Sequence, residues 1–330
     1  MKTSSVLTLP PEMAHISWPE KIEFLFQHQL ETWKMARVHY QHFTTIKKRE
    51  LWVGKHRFIV QHNAARVRST CADPSKAALG KRPCFLCSKN IDTDQKGLIA
   101  LKKYLILINP FPIFSRHLTL ADIQHKPQRI ASRMIDMLEL AALLEEFTVF
   151  YNGPLCGASA PDHFHFQAVP NGIMPLEIEI DTLHPEEKEI VFEKEDLFVY
   201  TLRDGLQQAI VVESGWKEPI DYFFAKLLKV LPNQKEAGEP LLNCMAMYAN
   251  DRYRLLVFPR ETLRPACFFL EDPERIIVSP ASAELGGILV IPREEDYSKL
   301  TPEVVKGIFS DVLPSPTVFE KMKEDIVKLL

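Results

Sequence analysis

The chain has 330 residues, of which 46% are hydrophobic and 25% are charged, a composition that is ordinary for a globular protein with a large core. Its formal net charge is −3, so we do not expect the whole molecule to bind nucleic acid or an anionic membrane, and any phosphate must be bound by a local cluster of basic groups. The start of the chain lacks a signal-peptide pattern, no run of about 18 apolar residues occurs, and the six cysteines are few for a secreted disulfide framework, so we expect a cytoplasmic protein.

In the first half of the chain, the apolar pattern predicts helices alternating with strands. Apolar positions at helical spacing predict a helix over residues 18–40, and a strand follows at residues 58–61 before a basic loop. Two further strands are predicted in GLIALKKYLILINPFP and RHLTLAD, with a turn at residues 110–114 between them. The amphipathic segment of residues 128–147 predicts a long helix, and the strand that contains HFHFQA comes next.

A similar order of elements begins again after Pro185. EIVFEKEDLFVYTL and QQAIVVESG predict two strands, EPIDYFFAKLLKVL predicts a helix, and three more strands are predicted in NCMAMYAN, RYRLLVFPRE and GGILVIPRE before a helix at residues 302–312. All eleven histidines lie at or before His184. We therefore interpret the chain as a duplicated α+β unit, with a catalytic unit over residues 1–185 and a degenerate unit without histidines over residues 186–330.

The segment CGASAPDHFHFQAVP carries the clearest chemical signal. In an extended strand His163, His165 and Gln167 share one face, and the phenylalanines between them share the other. A neutral imidazole is a nucleophile at neutral pH, and an amide donor beside it can stabilise the negative oxygens of a phosphorus centre under attack. The small residues at positions 157–160 let backbone amides approach a phosphate. One histidine alone would more often be a satisfied strand residue, but this pattern after such a loop favours phosphorus chemistry.

The HFHFQA segment resembles the signature of the histidine-triad superfamily, specifically its transferase branch, in which glutamine replaces the third histidine. That branch includes galactose-1-phosphate uridylyltransferases, diadenosine tetraphosphate phosphorylases and GDP-hexose phosphorylases. LINPFPIFSRHLTL is similar to the strand–turn–strand before the motif, so the resemblance covers residues 58–170. It implies an α+β fold of two fused histidine-triad-like units, with antiparallel sheets, flanking helices and a degenerate second unit. It also implies that His165 attacks the α-phosphorus of a nucleotide to form a nucleotidyl-histidine, and that Gln167 stabilises the phosphate.

Cys84 and Cys87 have the C-x2-C spacing of a zinc knuckle, although a cysteine pair alone could also be a redox pair or two buried thiols. The resemblance implies a structural zinc, because uridylyltransferases of this branch can bind zinc with such a pair, a histidine before the long helix and the first histidine of the motif. In this sequence the implied ligands are Cys84, Cys87, His117 and His163. Alternate strand residues are about 6.6 Å apart, so His163 could bind the metal while His165 stays free. The second metal of some uridylyltransferases uses histidines of the latter half, which are absent here.

The phosphates of a nucleotide need cationic or amide donors. QHNAARVRST offers Asn63, Arg66 and Arg68, and it resembles the basic loop that contacts phosphates in this branch. The resemblance also implies that Asn109 in INPFP contacts the ribose, and we expect the amides near Ser159 to contact phosphate. Each arginine taken alone is more often a solvated surface charge.

The function predicted from these residues is that of a nucleotidyltransferase or phosphorylase that works by two displacements through His165. Its substrate would be a nucleoside diphosphate-sugar or a dinucleoside polyphosphate, its acceptor inorganic phosphate or a sugar 1-phosphate, and a homodimer is expected by resemblance alone. The alternatives are a histidine-triad hydrolase, against which Gln167 argues, and a non-catalytic nucleotide-binding protein. A nucleic-acid-binding module built on the cysteine pair fits poorly with the negative net charge. The sequence does not identify the base, the sugar or the acceptor.

Overall fold

The structure, a computed structural model, describes residues 5–13, 15–72, 82–203, 205–231, 233–234 and 238–330, without the side chains at positions 12, 68, 233 and 234. Two helices lie near its start, α1 (Trp18–Thr32) and α2 (Lys34–Phe43). Ser17 and Glu20 form a capping box at the start of α1. The single helix predicted over residues 18–40 divides at Trp33, whose backbone is extended and whose side chain is buried.

The remaining described elements of the first half are seven strands and three α-helices. They are β1 (Lys48–Val53), β2 (His56–His62), α3 (Val67–Thr70), β3 (Gly97–Ala100), β4 (Tyr104–Ile108), β5 (Leu118–Asp122), α4 (Met134–Leu143), β6 (Phe147–Asn152), β7 (His165–Pro170) and α5 (Pro175–Asp181). The long helix predicted over residues 128–147 begins only at Met134, because the buried Gln128 side chain is bonded to strand backbone instead of lying on a helix face. β1 was not predicted, since KRELWV mixes charged and apolar residues.

EIVFEKEDLFVYTL of the second half was predicted as one strand but forms two, as does GLIALKKYLILINPFP of the first half, because residues with positive φ at Glu195 and Leu101 reverse the chain. The second half otherwise follows the predicted order, with some short additional elements and one further helix after residue 312. Its elements are β8 (Lys188–Lys194), β9 (Leu197–Leu202), β10 (Ile210–Ser214), α6 (Lys217–Val230), β11 (Asn233–Gln234), β12 (Glu239–Pro240), β13 (Leu242–Ala249), β14 (Arg252–Pro259), α7 (Ser282–Leu285), β15 (Ile288–Ile291), α8 (Glu294–Lys299), α9 (Pro302–Val312) and α10 (Pro316–Leu329). None of the helices in the described part of the chain has the length and apolar composition needed to cross a membrane.

A ten-stranded antiparallel sheet runs through both halves, in the order β3-β4-β5-β7-β6-β13-β14-β10-β9-β8. Each half contributes a meander of three strands, a helix and a hairpin that folds back so that its second strand lies beside the third strand of the meander. β6 and β13 join the halves at the centre, where Phe150 pairs with Met245. The predicted α+β fold with antiparallel sheets and flanking helices is confirmed, while the boundary at residue 185 stays a prediction.

A second sheet, of order β1-β2-β15, interlocks the two halves. β15 comes from the second half and pairs in parallel with β2 of the first, with Ile288 opposite Ile59. The ten-stranded sheet is covered on one face by helices that include α1, α2, α4, α6 and α10, and on the other by this small sheet with α5 and α9. Phe164 and Phe166 of the motif lie in the helix-covered core, with ring centroids 4.9 Å apart, so the neighbouring polar residues face the other layer.

Candidate functional site

The candidate site lies on β7, an inner strand of the large sheet. β7 pairs with β5 on one side and β6 on the other, with Ala121 opposite His165 and Phe150 opposite Gln167. Because side chains alternate along a strand, His165 and Gln167 point to the same face. This is the face opposite the core that contains Phe164 and Phe166, on the side of the sheet that the small sheet, α5 and α9 cover.

His165 is held through both its backbone and its ring. Its backbone N–H donates to Oε1 of Gln128 at 2.8 Å. Nε2 of Gln128 donates in turn to the carbonyls of Asn152 at 3.0 Å and His165 at 2.9 Å. The ring atom Nδ1 of His165 lies 2.8 Å from the carbonyl oxygen of His163. A carbonyl only accepts, so Nδ1 carries the proton and Nε2 keeps its lone pair.

Nε2 of His165 is the atom that remains for chemistry. It has no hydrogen-bond partner among the described residues, and 3% of the residue surface is exposed. Burial lowers the pKa of His165 to about 4, so the ring is neutral at pH 7. A neutral imidazole with an unbonded nitrogen needs no external base to act as a nucleophile.

Gln167 is oriented by His117. Nε2 of His117 donates to Oε1 of Gln167 at 2.7 Å, and Nδ1 of His117 accepts from the backbone N–H of Ile113 at 3.4 Å. Burial, together with the positive charge of Arg66, lowers the pKa of His117 to about 3, so this ring is neutral as well. Since Oε1 of Gln167 is occupied, its amide –NH2 is the group that a ligand can meet.

Four side chains form a cluster that fits a metal ion. The ligand atoms of Cys84, Cys87, His125 and His163 all lie within 4.8 Å of one another. Sγ of Cys84 is 3.3 Å from Nδ1 of His163, and Sγ of Cys87 is 3.2 Å from Nδ1 of His125. In a tetrahedral zinc site with Zn–S of about 2.3 Å and Zn–N of about 2.0 Å, sulfur and nitrogen ligands lie about 3.5 Å apart. Donor types and spacing therefore suit a structural zinc.

The second nitrogen of His163 is already bonded, which leaves the first for a metal. Nε2 of His163 lies 2.7 Å from the carbonyl oxygen of Asp122, the last residue of β5. Nε2 therefore carries the proton, and the lone pair of Nδ1 points toward the thiols, as in other metal sites where a carbonyl fixes the imidazole. The cluster thus joins the end of β5 to the start of β7.

The fourth residue of the cluster is His125, whereas the sequence analysis predicted His117. His117 immediately precedes β5, and His125 follows the same strand at its other end. The five residues of β5 span about 17 Å, so His117 lies a strand length from the cysteines and contacts Gln167 instead. Both histidines precede the long helix, so chain spacing alone does not distinguish them.

Three predicted substrate-binding residues meet at the turn after β4. Nδ2 of Asn63 and Nη1 of Arg66 donate to backbone carbonyls of this turn at 3.2 and 3.1 Å. Oδ1 of Asn109 accepts a backbone N–H of the same turn at 2.9 Å, and its Nδ2 donates to Oγ1 of Thr119 at 3.2 Å. Thr119 pairs with Gln167 across the sheet. The three residues therefore lie beside the Gln167 end of the site, with these donors bonded within the protein.

The two remaining predicted phosphate contacts are Arg68 and Ser159, of which Ser159 is in the loop before β7. The side chain of Arg68 lies outside the part of the chain that is described. Ser159 is exposed, and its carbonyl accepts from Nη2 of Arg82 at 3.3 Å. A cleft beside this loop is lined by residues of both halves, including Arg264 and Ser279, but not by His165. Sequence reasoning missed Arg264 and Ser279, because no motif marks them.

Known proteins resemble this chain in sequence over one segment and in structure over most of its length. Residues 25–170 match the family model described as "Domain of unknown function (DUF4922)". No curated protein matches the sequence. The structure is similar to yeast Ap4A phosphorylase Apa2 in complex with Ap4A, with a TM-score of 0.59 and 16% identity over 89% of this chain and 96% of that chain. A second structure of Apa2 gives a TM-score of 0.57 with the same identity and coverage. This likeness shows that the chain shares the fold of Apa2 over most of its length.

Proposed function

We propose that this protein is a nucleotidyltransferase or phosphorylase that transfers a nucleotide through His165. The substrate would be a nucleoside diphosphate-sugar or a dinucleoside polyphosphate, and the acceptor inorganic phosphate or a sugar 1-phosphate. The observation that carries the proposal is the hydrogen bond between Nδ1 of His165 and the carbonyl of His163, because it directs the lone pair of Nε2 away from the backbone. The fold shared with Ap4A phosphorylase, which binds Ap4A and AMP, supports a nucleotide substrate.

In the first displacement, Nε2 of His165 forms a bond to the α-phosphorus while the bond from phosphorus to the bridging oxygen breaks. The leaving phosphate keeps the electron pair of that bond, and the imidazole becomes positively charged. In the second displacement, an oxygen of the acceptor phosphate bonds to the same phosphorus, and the electron pair of the N–P bond returns to Nε2. The proton on Nδ1 stays in its hydrogen bond to His163 throughout, where the carbonyl stabilises the transient positive charge.

Gln167 would donate to a non-bridging oxygen as negative charge develops there. His117 holds its Oε1, so the –NH2 group does not have to be ordered at the moment of reaction. Loss of one such donor typically costs about 3 kcal/mol of barrier. Unlike a histidine at this position, an amide gives no proton to a leaving group, which favours transfer over hydrolysis.

Zinc would be bound by Cys84, Cys87, His125 and His163, and when bound it would supply structural bracing for the start of β7. His163 would thus be fixed by the metal on one nitrogen and by the Asp122 carbonyl on the other. Its own carbonyl holds the ring of His165. The metal ligands therefore act on the nucleophile through its neighbour two residues away.

The contacts to the substrate are part of the same proposal. The exposed loop that contains Ser159 would offer backbone amides to phosphate. Asn63, Arg66 and Asn109 would border the nucleoside from the turn after β4. Arg68 remains a proposed phosphate contact whose side chain is outside the described part of the chain. Because the described donors of Asn63 and Arg66 already hold that turn, we expect their loss to change substrate affinity through the position of the turn.

The test is a phosphorolysis screen combined with intact-mass analysis. The full chain is incubated with GDP-, UDP- and ADP-sugars and with diadenosine polyphosphates, and we expect a mass increase of one nucleotidyl group that phosphate removes. His165→Ala should form no adduct, while His42→Ala, at an exposed position of α2, should behave as the unaltered chain. An adduct on His165→Ala would refute the assignment. Products formed at equal rates with and without phosphate would identify a hydrolase, and binding without adduct or products would identify a non-catalytic protein.

A further inference from the structure

The cleft beside the loop before β7 lies between the two halves and has no carboxylate among its described lining residues. Arg82 and residues 157–159 line it from the first half, and Arg264 and Ser279 line it from the second. Two guanidinium groups, serine hydroxyls and the small-residue loop form a set of donors suited to phosphate oxygens. The chemistry described so far uses none of the residues from the second half.

Arg82 has a fixed position and an unused donor group. Its Nη2 donates to the carbonyl of Ser159 at 3.3 Å and to Oδ1 of Asp162 at 3.2 Å, and its guanidinium lies 4.8 Å from the centre of the Phe85 ring. Nη1 is buried and has no acceptor among the described residues. Leaving a buried donor of a charged group unpaired is unfavourable, so an anion is the partner that this geometry favours.

Arg264 provides the second positive charge from the other side. Its Nη2 donates to the carbonyls of Thr70 and Ala72, both at 2.8 Å, and its guanidinium lies 4.2 Å from the centre of the Phe268 ring. Stacking on an aromatic ring fixes the plane of a guanidinium, so less side-chain freedom is lost when it binds an anion. Both arginines of the cleft are therefore ordered in the same manner.

The second half also fixes the loop itself. Gly157 has φ +95°, and a Cβ at this position would lie 2.5 Å from Cβ of Ala281. Nδ2 of Asn243 donates at 2.8 Å to the carbonyl that precedes Gly157. The buried Arg260 donates from Nη1 to Oδ1 of Asn243 at 2.7 Å and to the carbonyl of Pro280 at 2.8 Å. Ser279 and the loop are thus parts of one bonded framework, so their relative position is set before a ligand arrives.

We infer that this cleft binds the phosphate groups beyond the α-phosphorus, first as the leaving group and then as the inorganic phosphate that accepts the nucleotide. The histidine-free second half supplies Arg264 and Ser279 to this subsite. The identity of the ligand as substrate phosphate rests on the proposed function, whereas the affinity of the cleft for phosphate oxygens does not. Ser159 precedes His163 by four residues, at most about 14 Å of chain, and a bond from His163 N–H to the carbonyl of Ala160 at 3.0 Å folds that chain back. The loop that lines the cleft is therefore close to His163, and the inference requires a polyphosphate chain that extends from the cleft toward His165.

The experiment titrates inorganic pyrophosphate into the full chain by isothermal titration calorimetry at fixed salt. Arg82→Gln and Arg264→Gln should each weaken binding tenfold or more, since each removes a charge-assisted hydrogen bond, worth about one decade of affinity or more. Arg275→Gln is the matched control, because its guanidinium also lies over Phe268, at 5.5 Å, but does not line the cleft. Ser279→Asp should abolish pyrophosphate binding by charge repulsion. Ser279→Asn introduces a neutral side chain of the same size as aspartate and should retain binding.

The outcomes separate this inference from the proposed function. No pyrophosphate binding by the unaltered chain, or an equal loss in Arg275→Gln, would overturn the subsite, and so would equal binding by Ser279→Asp and Ser279→Asn. A melting temperature that is the same in all variants excludes unfolding as the cause of a loss. His165→Ala should bind pyrophosphate normally while forming no nucleotidyl adduct. Pyrophosphate binding in a chain that never forms the adduct would refute the proposed function and leave the anion site standing. In a chain that forms the adduct, Arg264→Gln should raise the phosphate concentration for half-maximal discharge tenfold or more.

Discussion

Replacing His117 by glutamine should change how the stability of the protein depends on pH. His117 is fully buried between the Ile113 N–H and the Gln167 side chain, and its pKa is about 3 in the folded protein against about 6.5 in an unfolded chain. Between these two values the unfolded chain binds more protons than the folded one, so the free energy of unfolding falls as the pH falls. Glutamine at this position can still donate to Gln167 but does not titrate.

The size of the effect follows from the two pKa values. From pH 7.5 to pH 5 the unfolded imidazole becomes almost fully protonated while the folded one stays neutral, which lowers the free energy of unfolding by about 2 kcal/mol. Burial raises the pKa values of Glu177 and Glu239 to about 7, so these two groups increase the free energy of unfolding as the pH falls. Both groups are present in the unaltered chain and in His117→Gln, so their contribution cancels when the two proteins are compared. The cost of His117→Gln should therefore be about 2 kcal/mol smaller at pH 5 than at pH 7.5.

Urea unfolding of both proteins at the two pH values measures this difference. We expect the midpoints of the unaltered chain and of His117→Gln to converge as the pH is lowered. A cost of substitution that is the same at pH 5 and pH 7.5 would show that His117 has an ordinary pKa in the folded state. The hydrogen-bonding account of Gln167 orientation would then be wrong, because a protonated ring could not accept from Ile113.

Two further predictions concern the metal cluster and the loop before β7. His125→Ala should weaken zinc binding tenfold or more, measured by metal content after dialysis against a chelator, whereas His117→Gln should retain the metal; the reverse result would restore the ligand set expected from the sequence. Gly157→Ala should destabilise the protein by about 2–3 kcal/mol more than Gly172→Ala in thermal or urea unfolding, because both have positive φ but only the first would place a Cβ 2.5 Å from Ala281. Equal costs would show that the contact between the loop and the second half relaxes freely.

The local part of the site could be read from the sequence because it depends only on strand geometry. The period of two places His165 and Gln167 on one face of β7 and the phenylalanines in the core, whatever the rest of the chain does. The spacing of Cys84 and Cys87 likewise brings two thiols together within a single turn. The duplicated order of elements was also visible, because alternation of helices and strands is a property of each segment by itself.

Only the tertiary structure decided which distant residues complete these local features. Whether His117 or His125 meets the cysteines depends on which end of β5 lies beside them, and chain spacing carries no information about that. The pairing of β15 with β2 depends on how the two halves pack, and so does the position of Arg264 and Ser279 beside the loop before β7. Periodicity fixes the direction of a side chain relative to its own strand, whereas the partner that it meets is fixed by packing between elements far apart in the chain.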